Sequence, residues 1–400
     1  MPAALAILVR ALDGGGMQRN VARLAAAFQA RGLAVDVLAA EPAGPMRAAV
    51  AAAARLVPLA PAGHLGGRLR ALLADPAGFA VNAPLLLGGP AILRHLPAVE
   101  AYLRAVRPAA LLSLGTQCNL AALWARRLAG VATRIVVSEH NPLSVVARSS
   151  RRRFRRAYPA AVARAYPAAA AIVAVSEAVA DDLAAATGLD PAAIATVPNP
   201  VVDAGSPAGS RRPPPHPWLE PGAPPVVLGV GRLHPNKLFA DLLEAFAALR
   251  AVRPARLVIL GEGPERAALA ARARTLGIEP DLLMPGFVSE PEAWMAHAGV
   301  LALTSRHEGF GNVLIEAMAV GCPVVATDCP GAPRELLGSG RLGRLVEPGM
   351  PLLLAEALLA TLAAPPDRAR LRAAAAAFGI DRAAERYLAL LLPEGAHGRG

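Results

Sequence analysis

One stretch of about twenty residues constrains the fold of this chain more than any other. SPAGSRRPPPHPWLEPGAPP, residues 206–225, cannot lie inside helices or central strands, because proline fixes φ and lacks an amide donor. It sits in a composition break running from Asp203 to Pro225 and reads as a linker. At ~150 residues per domain the 400 residues allow two to three domains, and the break divides them into two halves. Each is long enough to bury a sizeable core.

Both sides of the break alternate between strand and helix. Before it, strands are expected at Leu5–Val9, Leu33–Ala39, Ala109–Leu114, Arg134–Ser138 and Ala171–Val175. An amphipathic helix from Met17 to Arg31 separates the first two, with Gly32 where a C-cap would sit. After it, strands are expected at Val226–Val230, Arg256–Leu260, Leu282–Pro285, Val300–Thr304 and Val324–Thr327. Helices are expected at Asn236–Ala251, Pro264–Leu276, Glu290–His297 and Gly311–Val320, and Leu352–Leu392 is helical in pattern. Strands separated by helices imply parallel sheets covered on both faces. The expected fold is α/β, with two doubly wound domains facing a central cleft. Their boundaries are 1–205 and 226–380 around the linker 206–225, and 381–400 forms a C-terminal helix and tail returning to the first domain.

Several function classes drop out. The uncharged windows Pro108–Ala125 and Pro76–Leu93 are poor membrane spans: the first carries Ser113, Thr116, Gln117 and Asn119, the second three prolines and three glycines. No basic region precedes Leu5–Val9, so a secretory signal is not expected. Cys118, Cys322 and Cys329 are an odd count without a CxxC, which argues against a disulfide framework or a cysteine-rich metal site. The simplest compartment is the cytoplasm. The net charge of +11 comes from arginine, for Lys237 is the single lysine.

Three motifs carry chemistry. Gly14–Asn20, GGGMQRN, lies between a strand and a helix, where glycines let a backbone approach a phosphate; it could equally be only a tight turn. Gly231-Arg232-Leu233 with Lys237 leaves the first strand of the second half. A guanidinium and an ammonium there make a diphosphate clamp, or else a solvated loop. Thr304–Ala319, TSRHEGFGNVLIEAMA, runs from a strand end through a glycine loop into a helix. Glu308 and Glu316 can then lie along one elongated ligand and accept bonds from vicinal hydroxyls. Amides from Gly311, Asn312, Val313 and Leu314 would face phosphates between them. The plainer alternative is a surface Glu308 and a Glu316 paired with an arginine.

With GRLHPNK, GEGPERAAL, GFVSE and GCPVVATDCPGAPRELL, these blocks resemble the retaining glycosyltransferases of family 4, of the group 1, surface-polysaccharide type. The resemblance covers essentially the whole chain and implies the GT-B fold of two Rossmann-like domains, the first binding acceptor and the second a nucleotide-sugar donor. It implies that Arg232 and Lys237 hold the diphosphate, with Gly231 beside them. It implies that Glu308 orients the sugar hydroxyls, Glu316 binds the ribose, and backbone near Val288 lies beside the base. Gly15 and Gly16 would approach the donor from the first domain, and His140 would lie near the transferred sugar, unless it is an interior hydrogen-bonded histidine. The GGG start implies UDP as the nucleotide.

No Asp-x-Asp triplet and no H-x-x-x-H pair occurs, so neither a metal nor a cofactor beyond the donor itself is expected. The expected reaction moves a hexose or N-acetylhexosamine to a lipid-linked or surface-glycan acceptor. Rivals on the same fold are a sugar-nucleotide epimerase, a phosphorylase and a non-catalytic nucleotide-sugar binding protein. A dinucleotide-dependent oxidoreductase fits poorly, because Arg19 breaks GxGxxG and Asp36 lies inside the second strand. Six arginines in Arg148–Arg156 suit an anionic membrane surface, here the inner face. Nucleic acid is not expected, for the aromatics near the run are few, Phe154 and Tyr158.

Overall fold

The computed structural model describes residues 5–149, 153–203 and 215–393, and the chain forms two compact units. The first comprises Met1–Pro200 with Ile380–Gly400, the second Val201–Gly379.

The first unit is built on a parallel sheet of β1 (Leu5–Ala11), β2 (Val35–Glu41), β3 (Arg55–Pro58), β4 (Ala110–Leu114), β5 (Arg134–Glu139), β6 (Ala171–Ala174) and β7 (Ile194–Thr196), in the order β3-β2-β1-β4-β5-β6-β7. Its central strands are continuous apolar runs because helices cover both faces; all five residues of β4 are buried. The helices end where local chemistry ends them. Ser176 Oγ accepts from Val179 N at 3.2 Å to open the helix Glu177–Thr187, and Gly188 closes it.

The second unit repeats the scheme with β8 (Val226–Val230), β9 (Arg256–Leu260), β10 (Leu282–Gly286), β11 (Val300–Leu303), β12 (Val324–Thr327) and β13 (Arg344–Val346), ordered β10-β9-β8-β11-β12-β13. Each sheet runs outward from its first strand in one direction and then in the other. The order reverses between β1 and β4 in the first unit and between β8 and β11 in the second, and such reversals open a crevice at the strands' carboxyl ends.

Some local readings need correction. β3, β7 and β13 are three or four residues long, and Arg55–Pro58 contains no fully buried side chain, so no hydrophobic pattern announced them. The helix expected from Asn236 starts at Phe239, because Pro235–Lys237 form a separate 3-10 turn and Leu238 takes a left-handed φ of 49°. The helical tail is three helices, Pro351–Ala363, Arg368–Ala375 and Ile380–Leu391. The last packs in the first unit, where Ala384, Tyr387 and Leu391 join Leu24, Phe28 and Val136 in its core. Of the proline-rich stretch, residues 206–214 lie outside the described residues. Residues 215–225 pack on the second unit: Leu219 is buried and the Arg256 guanidinium lies 4.8 Å from the centre of the Trp218 ring.

Candidate active site

In the second unit, loops after β8 and β11 meet at the reversal of strand order. The 3-10 turn Pro235–Lys237 is capped by His234, whose Nδ1 accepts from Asn236 N at 3.2 Å. Four further bonds join this turn to the loop after β11. Arg306 N donates to Asn236 O at 2.8 Å, Asn236 Nδ2 to His307 O at 2.9 Å, Thr304 Oγ1 to Lys237 O at 2.6 Å, and Lys237 Nζ to Glu308 Oε1. The same carboxylate oxygen accepts from Ser305 Oγ at 2.5 Å. The Lys237 stem passes over Gly231, where a Cβ would stand 3.3 Å from Lys237 Cε.

Two glycines allow these loops to close in. A Cβ at Gly261 would lie 2.0 Å from Gly231 O, at a φ of 138°. A Cβ at Gly331 would lie 1.5 Å from Glu308 O, at a φ of 117°. Glu308 N in turn donates to Pro330 O at 3.0 Å, so the loop after β12 braces the glutamate from behind.

The pair is partly exposed, with 23 % of the Lys237 and 13 % of the Glu308 side chain open to solvent. Arg232 is exposed and has no ion pair among the described residues. Beside them, two buried polar atoms have no hydrogen-bond partner, Asn236 Oδ1 and His307 Nδ1. Burial holds His307 below its ordinary pKa, which favours the neutral ring, whose Nδ1 can donate or accept. A polar ligand would satisfy both atoms.

The helix Asn312–Ala319 begins at the same edge, with Gly311 as its N-cap. Glu316 lies one turn inside and is buried. The expectation of four phosphate-facing amides needs trimming: Leu314 N already donates to Gly311 O at 2.9 Å, and the Leu314 side chain is core. Asn312 and Val313 keep half-buried positions in the first turn. Val288 follows β10 at the carboxyl edge and is half-buried.

Gly15, Gly16 and His140 belong to the first unit. Gly15 and Gly16 are exposed at the junction of β1 and the helix Gly16–Ala30. His140 follows β5 and is buried; its Nε2 lies 3.1 Å from Ser138 Oγ, which lies 3.1 Å from the Tyr387 hydroxyl. Burial pushes His140 down to about 4, so the ring is neutral near pH 7.

Its neighbour Glu139 escaped the sequence reading, although a carboxylate ending an apolar strand was a visible signal. Its carboxylate accepts from Thr116 Oγ1 at 2.9 Å, from Asn119 Nδ2 at 3.3 Å and from the Tyr166 hydroxyl. Burial still raises its pKa to about 7, against those bonds. The two neighbours work against each other. Glu139, raised in the fold, contributes stability below pH 4.5 that is lost as pH rises through about 7. His140, depressed in the fold, contributes stability above pH 6.5 that is lost as pH falls through about 4. Urea unfolding of Glu139→Gln should therefore show a steeper loss of stability between pH 6.5 and 4.5 than the parent, a difference of roughly 2 kcal/mol. Parallel pH curves for parent and variant would refute the raised carboxyl.

Comparison with known proteins bears on this geometry. Residues 14–204 match the family model described as Glycosyltransferase Family 4, and residues 224–364 match that of Glycosyl transferases group 1. The chain belongs to the family 4, group 1 glycosyltransferases. Among curated relatives, an N-acetylgalactosaminyltransferase of Campylobacter jejuni acting on a diphospho-undecaprenol-linked sugar is 43 % identical over 121 residues, 30 % of this chain and 33 % of that protein. The lipopolysaccharide 1,6-galactosyltransferase of Salmonella typhimurium is 36 % identical over 132 residues, 32 % and 36 % of the two chains. These alignments span about a third of the relatives' length. Among solved structures, HepE of Anabaena, crystallised with UDP and glucose, has a TM-score of 0.75 at 20 % identity, covering 97 % of this chain and 99 % of that one. The apo form of the lipopolysaccharide outer core galactosyltransferase WaaB has a TM-score of 0.70 at 22 % identity, covering 97 % and 98 %. At these identities the likeness concerns the fold, which is GT-B.

Proposed function

We propose that this glycosyltransferase moves a hexose or N-acetylhexosamine from a UDP-sugar to a lipid-linked or surface-glycan acceptor, with retention and without a metal ion. The observation that carries the reading is the Lys237–Glu308 pair at the strand-order reversal of the second unit, beside a helix N-terminus and a buried Glu316. The name of the Campylobacter relative supports a lipid-linked acceptor, and the HepE complexes support UDP.

In this reading Lys237 exchanges Glu308 for the donor diphosphate, and Arg232 adds a second cation. Amides near Gly231, Gly311, Asn312 and Val313 complete the neutralisation. Glu308, released from the ammonium, accepts from sugar hydroxyls, and Glu316 from the ribose. Backbone at Val288 lies beside the base, and Gly15, Gly16 and the neutral His140 serve from the first unit. The bond from the anomeric carbon to the phosphate oxygen breaks, and the acceptor oxygen bonds the same face of that carbon. The acceptor proton passes to the leaving phosphate oxygen. The protein's share is then positioning and electrostatics.

Contact with the inner face of the membrane through Arg148–Arg156 belongs to the same proposal. Residues 150–152 of that run lie outside the described residues. Among the described residues no single helix is long and apolar enough to cross a membrane.

Calorimetry against UDP, GDP and ADP, with and without magnesium, tests the donor. Metal-free binding of UDP alone is the expected result, and binding of GDP or ADP alone would reassign the nucleotide. Dependence on magnesium would overturn the cationic clamp. The anomeric configuration of the product, read by NMR, tests retention.

A further inference from the structure

The uncharged window Pro76–Leu93 has no place in the donor site. It continues a helix whose outer face is also apolar. On His64–Ala74, Leu65, Leu69 and Leu73 are 79 %, 54 % and 56 % exposed, and their spacing of four sets them in one stripe. On Phe79–Gly88, Phe79 and Leu87 are 54 % and 78 % exposed, with Ala80 and Pro84 exposed between them. The solvent side of that helix carries no polar residue, which water does not favour.

The corner between the two helices is pinned by hydrogen bonds. Asp75, at the corner, accepts from Arg164 Nε at 2.6 Å and Nη2 at 2.7 Å, from Gly78 N at 3.1 Å and from Asn82 Nδ2 at 3.0 Å. Behind the leucine stripe, a Cβ at Gly67 would stand 1.9 Å from Leu93 O. The two helices bend by 104°, and Ala71, Asn82, Leu85 and Leu86 are buried in the unit. Crossing a bilayer would strip that packing, whereas lying in the interface would keep it.

Arginines flank the apolar face. The turn Arg153–Ala157 rests on the second helix, for a Cβ at Gly88 would lie 2.4 Å from Phe154 Cβ. Arg153 and Arg156 are exposed on that turn. Arg156 and Arg148 also line a cavity of about 430 Å³ with Ser144, Ala147, Pro159 and Ala186. No acid is among those lining residues, and Asp182, behind Ser144, accepts from Ser144 N at 2.9 Å and from the Ser144 hydroxyl. Two copies of so basic a face would repel, whereas an anionic lipid surface complements it.

We infer that the helices His64–Ala74 and Phe79–Gly88 insert Leu65, Leu69, Leu73, Phe79 and Leu87 into the interface of an anionic bilayer, with Arg148, Arg153 and Arg156 on lipid phosphates. This rests on the membrane contact proposed above and adds apolar insertion by separate residues.

The test uses the full chain with vesicles of phosphatidylcholine alone or mixed with phosphatidylglycerol. Leu87→Cys carries an NBD label; the native thiols are buried, and burial pushes each up to about 12, so the label goes to the new site. With mixed vesicles its emission should shift to the blue and be quenched by acyl-brominated lipid, while a label on Ala267→Cys of the second unit should not respond. Co-sedimentation should weaken roughly tenfold or more in Leu69→Ser/Leu73→Ser/Leu87→Ser, and UDP binding checks that this variant remains folded. Salt-sensitive vesicle binding with a silent Leu87 label and no effect of the serines would overturn insertion but keep the arginine contact. No binding to either vesicle would overturn both. Self-association in sedimentation velocity that the serines abolish, with a silent label, would reassign the face to a second copy.

Discussion

Lys237→Ala should lower sugar transfer about a hundredfold, because a charge stabiliser at the leaving group is worth ~2.7–4 kcal/mol. On the proposed donor site, removing the ammonium also leaves Glu308, 13 % exposed, without its cation beside the diphosphate. UDP binding should therefore weaken as well as turnover. Glu308→Gln should behave differently. It frees Lys237 for the phosphates, so UDP binding stays level or tightens, while transfer falls because the sugar loses its acceptor. Lys237→Ala/Glu308→Gln should bind UDP better than Lys237→Ala alone, since the repelling carboxylate is gone. Steady-state kinetics and calorimetry on the three variants separate these outcomes. Turnover of Lys237→Ala within about threefold of the parent would remove the ammonium from the reaction.

Gly331→Ala should destabilise the second unit by more than about 3 kcal/mol. Its φ of 117° disfavours any side chain, and the added methyl would fall 1.5 Å from Glu308 O. The loop after β12 must then retreat and take with it the Pro330 carbonyl that holds Glu308 N. Activity should fall with stability. Gly349→Ala is the control. It shares a left-handed φ, 79°, but nothing lies within 4 Å of the new methyl. Its cost should be the backbone preference alone, ~1–2 kcal/mol. Equal losses in urea unfolding of the two variants would show that the close approach to Glu308 carries no weight.

The reach of the sequence follows the range of the forces involved. β8, β9, β11 and β12 were legible because buried parallel strands are apolar runs, and Gly231 and Gly261 directly follow the first two. Arg55–Pro58 and Arg344–Val346 were not, since an edge strand of three or four residues is held by its neighbour's backbone and needs no pattern of its own. Lys237 and Glu308 stood out singly. Their pairing across 71 positions required the strand order. The displaced start of the helix Phe239–Val252 turns on one left-handed leucine, which local propensity would never select. Glu139 and the leucine stripe were missed for opposite reasons. One is a polar group whose burial is a tertiary fact. The other is an apolar face whose exposure is equally so.

The helix Ile380–Leu391 fills the core of the first unit, yet about 180 residues of the second unit precede it in the chain. Synthesis therefore reaches the two units in an inverted order of completion. At ~5–20 residues per second, the ribosome takes roughly ten to thirty-five seconds to cross the second unit. Throughout that interval Leu24, Phe28 and Val136 lack the partners Ala384, Tyr387 and Leu391. The half begun first is the half finished last, and its apolar core stays incomplete until translation is nearly over.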